Sequence, residues 1–227
     1  MDAVKKHFES EAREFDLIIL KLIPHYPEMI DALVSAIPHE RSSSIKVIDL
    51  GCGTGAISRK IIDLFPRSKI TCIDLSENMI GMARIKLKEN PGIRYQVGDF
   101  RSYEFDDKYD VVATSLALHH LETDAEKIKF YEKIHDSLNP GGMFINADVV
   151  LGSSPHLQSV YMEKWKQFML KHVSEDEIEN KWLQKYLEED RPARLMDHIS
   201  WLSEVGFSEI DIVWKYYNFA VYCGHRG

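Results

Sequence analysis

The chain has 227 residues, 44% of them hydrophobic, enough to bury the core of one domain with a helical annex. A formal charge of −8 and a pI near 5.7 set it against nucleic acid phosphates and anionic lipid, and no uncharged apolar run reaches membrane-spanning length, so a small-molecule partner is expected. Three cysteines, Cys52, Cys72 and Cys223, without CxxC spacing, and an N-terminus lacking a secretory apolar core point to a reducing cytoplasm.

Residues 14–37, EFDLIILKLIPHYPEMIDALVSAI, read as two short amphipathic segments broken at Pro24 and Pro27, a lid beside a cleft with Tyr26 as its exposed aromatic. From residue 45 the signals alternate. Strands are predicted at 45–50, 69–74, 93–97, 109–115 and 143–149, and helices from Gly55 to Phe65-Pro66, from Ser76 to about Glu89 and from Asp124 to Leu138, each stopped by Pro or Gly. This alternation implies parallel strands joined by crossover helices. Amphipathic helices at 155–172 and 174–189 follow, with Leu157, Val160, Tyr161, Phe168 and Met169 in one stripe and Ile178, Trp182, Tyr186 and Leu187 in the next. A helix at 194–204 precedes two β-rich runs, 209–214 and 216–223. A single domain over 1–227 thus divides into a helical lid (1–40), a core (41–150), a helical cap (151–193) and a closing helix with hairpin (194–227).

The stretch VIDLGCGTG, residues 47–55, ends an apolar run at an acid and turns through Gly51, Gly53 and Gly55. With Ala56 it fits the relaxed G-x-G-x-x-[GA] dinucleotide pattern, while a P-loop is excluded because no Gly-Lys-Ser/Thr follows. Asp49 discriminates further: a carboxylate before the loop repels a pyrophosphate but suits an ammonium or sulfonium, as in S-adenosylmethionine. Asp74 ends the second strand, where an acid accepts from ribose hydroxyls, a feature that nicotinamide cofactors share. Asp99, in VGDF after the third strand, is placed to accept from an adenine amino group, with Phe100 beside the base. Each acid alone also fits a cap or a turn; three successive strand ends beside one glycine turn favour the ligand.

VIDLGCGTG, CIDLSENMI, VGDF, YDVVATSLALHHL and LNPGGMFINADVV resemble, in order, the motifs of class I S-adenosylmethionine-dependent methyltransferases over residues 40–150, and GFSEIDIVWKYYNFAVYCG resembles that family's closing hairpin. The resemblance implies an α/β, Rossmann-like seven-stranded sheet of order 3-2-1-4-5-7-6 with one antiparallel strand, flanked by helices. It implies S-adenosyl-L-methionine as cofactor, with its methionine end around Asp49, Gly51, Cys52, Gly53 and Gly55, ribose on Asp74, Leu75 and Met79 along the ribose and adenine faces, Asp99 and Phe100 on adenine, and Ser115 facing the methionine moiety. More loosely, IPHYPEMI, SEDEIENKW and KYYNFAVYCG resemble carboxy-S-adenosylmethionine synthases, which make a modified cofactor for tRNA wobble-uridine modification. In them a tyrosine matching Tyr26 contacts the cofactor, and Trp182 stands where a cap arginine holds the carboxylate.

The expected activity is direct methyl transfer to a small molecule by a monomer or homodimer. A carboxy-S-adenosylmethionine synthase, a nicotinamide dehydrogenase and a non-catalytic S-adenosylmethionine-binding module are the alternatives. His119 and His120, after the fourth strand, sit where a general base would stand, though capping or packing explains them as well. Cys52 has no adjacent base and is not read as a nucleophile. No metal is expected, because Asn146 and Asp148 alternate on the fifth strand without a third ligand.

Overall fold

The computed structural model describes residues 5, 8, 9, 12 and 14–227. Among them the apolar runs pair into a seven-stranded sheet of order β3-β2-β1-β4-β5-β7-β6, with β1 at Lys46–Leu50, β2 at Lys69–Asp74, β3 at Ile93–Val97, β4 at Tyr109–Ser115, β5 at Leu138–Val149, β6 at Phe207–Tyr216 and β7 at Phe219–Arg226. β1 to β5 pair in parallel, and β7 runs antiparallel to both β5 and β6. The expected order and the antiparallel strand are therefore observed. The central strands need apolar residues on both faces because each face is covered. One face packs on α1 (Phe15–Leu22), α2 (Tyr26–Ser35) and α3 (Ala56–Leu64), with α4 (Glu77–Lys86) beside them; the other packs on α5 (Asp124–Ser137) and α8 (Leu195–Val205).

From β1 the chain moves outward through β2 to β3, then returns to place β4 on β1's other side. The carboxyl ends of β1 and β4 thus flank a topological switch point, the crevice where open α/β sheets hold ligands. The cap consists of α6 (Pro155–Met169), a turn at Glu175–Glu177, a π-helical turn at Ile178–Trp182 and α7 (Leu183–Glu189).

Several expectations are corrected. Pro27 does not break a helix; it occupies the first turn of α2, where a missing N–H costs nothing, and the break lies before it at His25, in left-handed conformation with φ 55°. Tyr26 is half-buried rather than exposed, because α2 folds its first turn onto the cleft. The hairpin turns at Tyr217-Asn218, so its strands reach 216 and 219 instead of meeting near 215; Tyr217 adopts φ 47° without the help of a glycine. Asn139 to Gly142 form a bulged start to β5 rather than a clean stop: Tyr109 pairs with Leu138 and Val111 already with Met143. In the cap, Trp165 and Met169 are the buried residues of α6, while Leu157 and Leu187 of the predicted stripes face solvent.

Candidate active site

The glycine loop is built from backbone that only glycine adopts easily. Gly51, Gly53 and Gly55 all lie at positive φ, 68°, 52° and 83°. At Gly51 there is also no room: a Cβ would stand 2.6 Å from the Cβ of Ala117, on the turn after β4. Asp74 locks the loop from the neighbouring strand, one carboxylate oxygen accepting from Gly53 N at 2.8 Å and the other from Ser76 N at 2.9 Å. The cap of α4 is Ser76, whose hydroxyl accepts from Met79 N at 3.1 Å, so Asp74 is not a helix cap. Burial pushes the Asp74 carboxyl up to about 6, against these backbone donors.

Asp49 lies beneath the loop and is fully buried. One of its oxygens accepts from the Ser58 hydroxyl at 2.6 Å; the other, Oδ1, has no hydrogen-bond partner among the described residues. Desolvation raises its carboxyl to about 7, the Ser58 bond only partly opposing the shift. Ser115 Oγ, at the end of β4 on the cleft wall, is likewise buried without a partner among the described residues. A buried acceptor and a buried hydroxyl left open beside a glycine cradle are what a ligand with an ammonium and polar substituents would complete.

A cleft opens over this loop. Of the residues singled out in the sequence, Tyr26, Gly51, Cys52, Gly53, Asp74, Leu75, Met79, Phe100, Ser115 and His120 line it. Asp49, fully buried, and Gly55, whose open side meets Leu87 and Ala83, do not line it. Asp99 does not reach the cleft. It turns outward to Arg101, accepting from Nε at 3.0 Å and from Nη2 at 2.7 Å; burial works against its charge, but the guanidinium holds the carboxyl below the usual range. A cation two residues along the chain thus competes with the expected adenine contact. Cys52, buried among Cys72, Asp49 and Asp74, has its thiol pushed well above the ordinary value, which fits a packing role rather than a nucleophile.

α1 closes one side. Asp16 accepts from the Thr54 hydroxyl at 2.5 Å and pairs with Lys86 at 2.6 Å, which fastens the helix to the glycine loop, and Phe15 enters the cleft. Burial raises the Tyr26 hydroxyl far above its ordinary value, with Asp16 and Asp49 adding to the effect, so it is a neutral donor in the wall.

A second chamber opens past Phe15, Leu116 and His120, which line both spaces. Its walls are apolar: Ile19 and Leu22 of α1, Phe219 of β7, and Trp165, Trp182 and Tyr186 of the cap. Trp165 Nε1 donates to Leu22 O at 2.7 Å, tying the cap to α1. Leu116, between the two spaces, sits at φ 52°, a strained conformation for a branched side chain of the kind that collects at functional sites.

The polar end of the chamber is the turn Leu118–His120. His119 Nδ1 lies 2.5 Å from Asp148 Oδ1, and its Nε2 lies 3.4 Å from Asp190 Oδ1. Burial opposes charge on the ring, but Asp190 and Asp148 together push it up to about 9, so His119 holds its proton at neutral pH. It lines only the second chamber; His120 is the ring at the junction. Asp148 and Asp190 escaped the sequence reading as partners because nothing local links them to residue 119.

The fold is that of an α/β protein with a glycine-loop cleft at a sheet switch point. Residues 47–142 match the family model described as a methyltransferase domain. The chain is 25% identical to carboxy-S-adenosyl-L-methionine synthase of Nautilia profundicola, over 98% of this chain and 96% of that one. It is 26% identical to malonyl-[acyl-carrier protein] O-methyltransferase 1 of Ilyobacter polytropus over 61% of this chain, and spans about half the length of that and other curated relatives it matches. A solved structure described as a DhpI-SAM-HEP complex superimposes with a TM-score of 0.65 at 18% identity, covering 98% of this chain and 95% of that one. Residues 47–142 thus resemble a methyltransferase domain, and the fold is that of solved S-adenosylmethionine-dependent methyltransferases. No described helix is long and apolar enough to cross a membrane.

Proposed function

We propose that the protein transfers a methyl group from S-adenosylmethionine to a small molecule bound in the apolar chamber. The observation that carries this reading is the pair of contiguous cavities meeting at Leu116 and His120, one over the glycine loop and one walled by the cap. When bound, the cofactor supplies an electrophilic methyl on a sulfonium. The rest falls to the chain. Asp49 and Ser115 offer an acceptor and a hydroxyl to the amino-acid end; Asp74 accepts from ribose through its remaining lone pairs while keeping the loop shaped; Leu75, Met79 and Phe100 pack the nucleoside.

Phe15 and Tyr26 exclude water on the lid side, and the apolar walls hold the acceptor's body so that its nucleophile lies at the junction. Alignment and desolvation of this kind supply several kcal/mol, within the ~7–11 kcal/mol that ideal orientation allows. No general base is required; His120 borders both spaces, where the acceptor's nucleophile would lie. Unbridged, buried Cys52, Cys72 and Cys223 support a reducing cytoplasm as the setting, and the charge of −8 argues against nucleic acid as the acceptor.

The whole-chain likeness to a carboxy-S-adenosyl-L-methionine synthase favours one second reading, a carboxylated cofactor. That ligand needs a cation for its carboxylate. Trp182 lines the chamber but spends its N–H on Glu177 Oε1 at 3.0 Å, and its ring already carries the ammonium groups of Lys181 at 4.0 Å and Lys185 at 5.1 Å. Mass spectrometry of ligand released from protein purified out of cells that make both cofactors distinguishes the two. Ordinary S-adenosylmethionine or its product is expected; the carboxylated form at high occupancy would make Lys185 its partner and the second reading correct.

A further inference from the structure

We propose that His119, His120 and Asp190 form a binding site for one divalent transition-metal ion of the zinc type at the inner end of the apolar chamber. One ligand atom from each of the three residues comes within 4.8 Å of the others. His119 Nε2 and His120 Nδ1 stand 3.4 Å and 3.6 Å from the same oxygen, Asp190 Oδ1. Those separations exceed the roughly 2.7–3.2 Å of a good N–H···O bond. These two edges are close to the ~3.3 Å edge of a tetrahedron whose metal–ligand bonds are about 2.0–2.1 Å, and His120 Nδ1, which lies 3.3 Å from Glu189 O, would turn from that carbonyl to the ion.

The surroundings are those of a held ligand set rather than of three side chains meeting by chance. The other nitrogen of His119 makes the tight contact, 2.5 Å to Asp148, and Asp148 is anchored in turn by the backbone N–H groups of Val149 at 2.8 Å and His119 at 3.2 Å. A carboxylate on the far nitrogen keeps the Nδ1 proton and points Nε2 at the site, the arrangement by which proteins orient metal-binding imidazoles; the ion would displace the Nε2 proton that His119 otherwise holds toward Asp190. Asp190 comes from the far end of the cap, yet its position is set by backbone: Arg191 N donates to His119 O at 2.8 Å, and Leu151 N to Ala193 O at 2.9 Å. The segment carrying Asp190 is thus stitched to the turn carrying both histidines. Two imidazoles and one carboxylate suit zinc or a neighbouring first-row ion, whereas magnesium and calcium prefer all-oxygen sites.

Three protein ligands leave a fourth position, and the cluster borders the chamber, with His120 also on the cofactor cleft. An acceptor's oxygen or nitrogen bound there would be held at the junction. That role rests on the methyl-transfer reading; the binding of the ion does not.

The test uses the full chain stripped with a chelator and titrated with Co2+, read by the visible ligand-field bands of the four-coordinate ion, and with Zn2+ as competitor. One ion per chain is expected. Asp190→Asn and His120→Ala are expected to weaken Co2+ binding by at least ~100-fold, and Asp148→Asn, a positioning residue, by ~10–100-fold. His156→Ala and His172→Ala, on exposed histidines, leave it unchanged. Zn2+ should raise the melting temperature of the wild type and not that of Asp190→Asn, whose carboxylate is partly exposed at 18%, so the proposal remains testable even where a variant of the buried His119 fails to fold. No stoichiometric Co2+ binding, or binding that survives both Asp190→Asn and His120→Ala, overturns it. Calorimetry with S-adenosylhomocysteine on the same stripped protein tests the methyltransferase reading separately.

Discussion

Replacing Gly51 by alanine is expected to weaken S-adenosylhomocysteine binding by at least ~100-fold, or about 2.7 kcal/mol, and to lower the melting temperature by several degrees. Two independent costs act together. At φ 68° an L side chain costs roughly 1–2 kcal/mol. Its Cβ would also meet that of Ala117 at 2.6 Å, about 1 Å inside normal contact, so either the loop or the turn behind β4 must move. That turn carries Leu116 and both histidines, so the displacement reaches the junction of the two cavities. Gly141→Ala separates the causes. It shares a positive φ, 75°, but nothing lies within 4 Å of its Cβ; a stability loss of about 1 kcal/mol with unchanged binding is expected there. Calorimetry on both variants decides the matter, and undiminished binding in Gly51→Ala would show that the loop does not cradle the ligand.

Cofactor binding should also depend on pH, through Asp49. Its carboxyl titrates near 7 in the free protein instead of 3.8, because it is buried with one oxygen unpartnered among the described residues. Between these values the folded chain binds more protons at this residue than the unfolded chain does. Its contribution to stability is therefore greatest at low pH and is lost as pH rises toward 7. A ligand ammonium reverses the demand, since it needs the carboxylate. Affinity for S-adenosylhomocysteine is expected to rise about tenfold from pH 6 to pH 8, with a proton released to buffer on binding below about pH 7. Asp74, raised to about 6, adds to the fall at lower pH. Asp49→Asn should bind weakly and with a flat profile over this range. A flat wild-type profile, measured in buffers of different ionisation enthalpy, would remove Asp49 from the ligand's partners.

The parallel core was legible because VIDL, TCID, YDVV and MFINAD are runs that only a doubly covered strand can bury, and the helices between them end at proline or glycine signals. The cleft followed, since strand ends at a switch point converge whatever the side chains are. What remained hidden depends on neighbours distant in sequence or on local competition. The pairing of Asp99 with Arg101 was not legible, because nothing in VGDFR shows which way the carboxylate turns. Trp165, set among Glu163, Lys164 and Lys166, carries no apolar pattern, yet it joins the cap to α1. The turn at Tyr217-Asn218 contains neither glycine nor proline, so the hairpin was placed about three residues early. Asp190 approaches His119 across 71 positions of chain, and only the folded cap brings them together.

The central claim, that the glycine-loop cleft is built for S-adenosylmethionine, is tested most directly by calorimetric titration of the purified chain with S-adenosylhomocysteine, NAD and NADP in parallel. One site of micromolar affinity for S-adenosylhomocysteine and no saturable heat with either nicotinamide cofactor is the expected result. Nicotinamide cofactor binding at comparable strength would contradict it.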